Sequence, residues 1–178
     1  MNSKKLFIWG FLFVSVIGSL LHFIYEWSGN NSIVRLFAPW NESTWEHMKL
    51  LFFPMLVLVL FLFFKLPEQS PIPVALSIGT LVGLALIPIL FYTYTGVLGF
   101  SVMAIDIAIF YISVLGVFLT GWFLKDNREL ANRRGLLLTC LVILAILFFI
   151  FSYYPPEIGL FQAVSYTHLR AHETSLHL

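Results

Sequence analysis

Six residues bring ionisable chemistry into a chain that is otherwise strongly apolar: His22, Glu26, Glu42, Glu46, His47 and Asp106. Two imidazoles and four carboxylates supply the nitrogen and oxygen donors that hold a divalent cation such as zinc, relay protons or bind a small polar ligand. His22 and Glu26 stand four apart, as do Glu42 and Glu46, and that spacing puts each pair on one face of a helix. Among them His22, His47, Glu46 and Asp106 are the metal-ligand candidates. The spacing names no reaction. Glu46-His47-Met-Lys-Leu-Leu51 reverses the order of the zinc-protease HExxH motif and lacks its second histidine. There is no Gly-x-Ser-x-Gly elbow, phosphate loop or paired-cysteine motif. No catalytic residue follows from sequence alone, and haem ligation by His22 and His47 is a minor alternative.

The elements that must position these residues follow from composition. Of 178 residues, 60% are hydrophobic and 11% charged, against about 25% charged in ordinary proteins. So few charges cannot cover a water-exposed surface, which excludes a globular soluble enzyme and makes the lipid bilayer the chain's main partner. The net charge of +1 carries no nucleic-acid signal. A single cysteine, Cys140, excludes a disulfide framework and a cysteine metal knuckle.

A spanning helix needs about 20 mainly apolar residues, and five such stretches occur, at about 6–27, 44–65, 74–92, 99–124 and 135–153. The expectation is an all-α, five-span membrane bundle forming a single transmembrane domain over 1–163. The first stretch continues into His22, Tyr25, Glu26 and Trp27 without a small-x-small cleavage site, so it is expected to remain uncleaved. Ser43-Thr-Trp-Glu46 is a capping box that starts the second. Pro88 is expected to kink the third. Ala75, Gly79 and Gly83 form a small-residue stripe that admits a close helix partner. Lys4, Lys5, Lys65, Lys125, Arg128, Arg133 and Arg134 fall on one side, and only Arg35 and Lys49 on the other. The positive-inside rule then places the N-terminus in the cytoplasm.

Val164 to Thr174 reads as a translated transposase sequencing adapter, so 164–178 is taken as a non-native tail replacing the natural C-terminus. His168, His172 and His177 are set aside with it.

With this topology His22, Glu26, Glu42, Glu46, His47 and Asp106 all fall in the outer half of the bundle. Asp106 is placed about two turns into the fourth span. Ser15, Gly18 and Ser19 extend the His22 face downward, and Ser113 and Thr120 continue that of Asp106. Only fifteen apolar residues separate Lys49 from Lys65, about 22 Å of helix against a hydrocarbon core of about 30 Å. The first turns of the second span must therefore approach the membrane. For Lys49 and Glu26, snorkelling to the headgroups stands open beside a role in the site, and Trp27, Trp40 and Trp45 are expected to form an aromatic belt.

The segments His22-Phe-x-Tyr-Glu-Trp-Ser-Gly29, Pro39-Trp-Asn-Glu-Ser-Thr-Trp-Glu-His-Met-Lys49 and Tyr154-Pro-Pro156 resemble an uncharacterised family of small multi-span bacterial membrane proteins. The likeness runs from Lys5 to Phe161, with valine expected where Trp40 stands, and implies a multi-pass protein of the bacterial plasma membrane. It brings no activity. A looser analogy is to seven-span membrane hydrolases that hold zinc with histidines and a carboxylate near one membrane face. Three readings stay open: an outward-facing pocket that binds a cation or small polar ligand or moves protons, a metal-dependent hydrolase acting on lipid, and a structural subunit of a membrane complex.

Overall fold

The computed structural model describes residues 2–163, so the reading of 164–178 as a non-native tail lies outside the described residues. The described chain is helical: α1 (Ser3–Trp27), α2 (Val34–Phe37), α3 (Thr44–Lys65), α4 (Ile72–Leu98), α5 (Met103–Leu124) and α6 (Arg134–Tyr153), with short 3-10 turns at Arg128–Arg133 and Gly159–Phe161. Five of the helices are long and apolar enough to cross a membrane.

Local chemistry sets their ends. The Asn2 side chain accepts from the Lys4 N–H to cap α1, and the Ser43 hydroxyl accepts from the Glu46 N–H to cap α3. The third span runs six residues past its expected end at Tyr92, with Pro88 inside it. Gly99, at φ 79°, then closes α4 in the left-handed conformation, and its N–H donates to the Thr95 carbonyl. Gly99 is thus the end of one span rather than the start of the next, and α5 begins at Met103.

The central helix is α3, where 61% of the most apolar stretch is buried, against 28% in α1 and 22% in α6. It packs on α1 and α4, and α4 lies along α5. The small-residue stripe of α4 is occupied from within the chain, because a Cβ on Gly79 would stand 2.3 Å from the Val117 carbonyl oxygen of α5. A second close approach joins α1 to α3. Pro54 has no N–H to donate to the Leu50 carbonyl four residues back, and Gly18 packs against that carbonyl, where a Cβ would stand 2.5 Å from its oxygen. The outward face of α1, including Ile8, Trp9, Leu12, Val16 and Leu20, is exposed and apolar. Such a face is suited to lipid.

Candidate metal centre

The glycine contact between α1 and α3 lies one turn below His22 and draws that residue toward the start of α3. His22 and His47 face each other with ring centroids 5.4 Å apart. Glu42 completes the group, and one donor atom from each of the three residues lies within 4.8 Å of the others. Its position depends on a turn in which the Asn41 side chain accepts from the Ser43 N–H at 2.9 Å. Glu42 therefore precedes the Ser43 cap, outside α3. The expected common helix face for Glu42 and Glu46 does not exist, because helical spacing applies only after the cap.

The two nitrogens of His47 have distinct roles. Nδ1 lies 3.0 Å from the Ser43 carbonyl oxygen, which can only accept, so Nδ1 carries the hydrogen. In the neutral ring Nε2 then presents a lone pair, and 3.4 Å away it meets a Glu42 carboxylate oxygen. Two acceptors face one another across a gap that suits a proton or a metal ion. A hydrogen bond from the far ring nitrogen to a carbonyl is also the usual support of a metal-bound histidine.

Beside this group a cleft of about 130 Å³ is lined by His22, Phe23, Tyr25, Glu26, Pro39, Trp40, Asn41 and Glu42. Glu26 is exposed on its wall.

Glu46 belongs to another network. The Lys49 ammonium donates to Glu46 Oε2 at 2.6 Å, Ser152 Oγ at 2.5 Å and the Arg35 carbonyl at 2.9 Å. Lys49 is 0% exposed and Glu46 2%. Lys49 therefore does not snorkel; it ties α3 to α6 and to the segment before α3. The Arg35 guanidinium donates to the Ser152 carbonyl at 2.6 Å and stacks on Trp40 with its carbon 3.7 Å from the ring centroid. Neither Arg35 nor Ser152 is singled out by the sequence reading, and the spacing of three between Glu46 and Lys49 is the signal that points to the pair.

Asp106 is likewise held apart from the triad. Since α5 starts at Met103, it stands in the first turn rather than two turns deep. It accepts a hydrogen bond from the Tyr94 hydroxyl, which itself accepts from the Val102 N–H at 3.1 Å. Below His22, the hydroxyls of Ser19 and Tyr111 lie 3.1 Å apart and join α1 to α5. Among the tryptophans, Trp27 is exposed against Phe23, but Trp45 is buried, 4.6 Å from Phe148 and 4.8 Å from Phe161 between ring centroids. It is a core residue rather than part of an aromatic belt, because the C-terminal 3-10 turn covers it.

Five helices long and apolar enough to cross a membrane mark a multi-pass membrane protein, and His22, Glu42 and His47 stand together at one end of its bundle. The chain belongs to the family of unknown function DUF6512, whose sequence profile matches residues 1–167. No curated protein and no solved structure matches it.

Proposed function

We propose that the protein binds a divalent metal ion such as zinc through His22, Glu42 and His47, on the outer face of a bacterial plasma membrane. The observation that carries this reading is the separation between His47 Nε2 and the Glu42 oxygen, 3.4 Å. Zinc holds nitrogen and oxygen ligands at about 2.0–2.2 Å in a tetrahedral arrangement, so two of them stand roughly 3.4 Å apart. Three protein ligands leave one coordination position for water or a ligand, as in open zinc sites. The outward orientation rests on the basic loop Lys125 to Arg134 at the opposite end of the bundle.

Equilibrium zinc binding to the purified protein tests the reading. One ion per chain is expected, with affinity falling at least about 10–100-fold in His22→Ala and in His47→Ala, the range seen even for indirect supports of metal sites. Unchanged affinity in both folded variants, or no binding by the parent, would contradict it. Binding of protons without metal would instead favour a proton-carrying role for the same group.

A further inference from the structure

We propose that the His22, Glu42 and His47 centre hydrolyses a carboxylic ester or amide within an amphiphilic lipid, with Glu26 as the general base; this rests on the metal reading above. Three observations support it. Two of the three metal donors, His22 and Glu42, also line the cleft, so the open coordination position adjoins accessible space. Glu26 stands on the same wall one helical turn beyond His22. The cleft also has an apolar flank: Phe23 lines it and stacks on Trp27, with both residues exposed on the outward face of α1.

The size of the cleft narrows the substrate. About 130 Å³ is well below the roughly 300–1,000 Å³ of pockets that enclose a whole small molecule. It admits a reacting group while the rest of the molecule remains in the bilayer. A molecule carrying a carbonyl at headgroup depth and an acyl chain below it meets both conditions.

The step balances. Zinc-bound water loses one proton to the Glu26 carboxylate while its oxygen attacks the carbonyl carbon. The tetrahedral adduct then collapses, breaking the bond from carbon to the alcohol oxygen or amine nitrogen. Glu26 returns its proton to the leaving group. The products are a carboxylate, released with its own proton, and an alcohol or amine. No oxidant, reductant or further reactant enters.

Zinc-loaded full-length protein in mixed micelles would be given a fluorogenic ester phospholipid and, separately, an N-acyl sphingoid amide, with zinc content measured in the same samples. Turnover of at least one is expected to vanish with chelation and return with zinc. Glu26→Gln should lower it about 10²-fold or more, the usual scale for a general base, while zinc content stays at one per chain. Glu26→Asp, which keeps the carboxylate, should retain part of the rate. Zinc bound with neither substrate cleaved would overturn the hydrolytic proposal and leave the metal site standing. Turnover indifferent to Glu26→Gln would overturn the assigned base, and turnover indifferent to chelation would overturn metal-dependent hydrolysis. An absence of bound zinc would overturn the metal reading itself.

Discussion

At the level of single residues, two kinds of charge lie side by side at the start of α3. Glu42 and His47 are partly exposed, at 53% and 29% of their side chains, and remain available to a ligand. Glu46 and Lys49 are sealed and satisfied by each other. Removing one partner of a buried pair strands the other charge and costs about 3–5 kcal/mol. Lys49→Met should therefore lower unfolding stability in detergent by roughly that amount, and Glu46→Gln with Lys49→Met should recover much of the loss. The double variant should keep parental zinc affinity, since Glu46 faces away from the triad; a lost zinc site in a stable double variant would return Glu46 to the ligand set. His22 and His47 are legible in sequence as metal-ligand candidates and Glu42 as one carboxylate of the same outer group, but the carboxylates singled out as ligands, Glu46 and Asp106, are not the one that stands with the two imidazoles. The separation of Glu42 from Glu46 is not legible, because the Ser43 cap puts Glu42 outside the helix on which the four-residue spacing depends. Asp106 is readable as a carboxylate in the outer half of a span, but its partner Tyr94 comes from the preceding helix, α4, and no spacing within one helix identifies it.

At the level of elements, the triad depends on how closely α1 approaches α3. Gly18 and Pro54 make that approach together, one by lacking a side chain and the other by leaving the Leu50 carbonyl without its usual helical donor. Gly18→Ala puts a methyl group 2.5 Å from that oxygen, a backbone atom that cannot step aside as a flexible side-chain end would. A loss of about 1–3 kcal/mol is expected from such overpacking, together with weaker zinc binding as His22 moves away from His47. Gly96→Ala is the matched control, because its Cβ would meet nothing within 4 Å, and it should leave stability and zinc affinity at or slightly above parental values. Equal behaviour of the two variants in thermal unfolding and zinc titration would mean that the close approach does not position the site. The five spans are legible because each is a long apolar run. The end of α4 is less so, since Thr93-Tyr-Thr-Gly96 breaks the apolar run after Tyr92, yet the helix continues to Leu98 and the Gly99 cap. The short α2 carries no comparable signal. It is four residues long and is anchored by contacts with α1, which precedes it, and with α6, about a hundred residues further along the chain.

For the whole molecule, sidedness decides what the site can meet. Arg134 donates to the Phe63 carbonyl, which brings the basic loop to the end of α3 away from His47. With Cys140 replaced, a cysteine at Asn30 should react with membrane-impermeant thiol reagents in intact cells. One at Asp126 should react only with permeant ones, and the reverse pattern would turn the site to the cytoplasm. The existence of the site is tested most directly by zinc X-ray absorption on the purified, zinc-loaded protein. Two imidazole nitrogens and oxygen donors at about 2.0–2.2 Å are expected, without sulfur, with one imidazole lost in His22→Ala and one in His47→Ala. A zinc environment without imidazole, or one unchanged by both substitutions, would contradict a centre built from His22, Glu42 and His47.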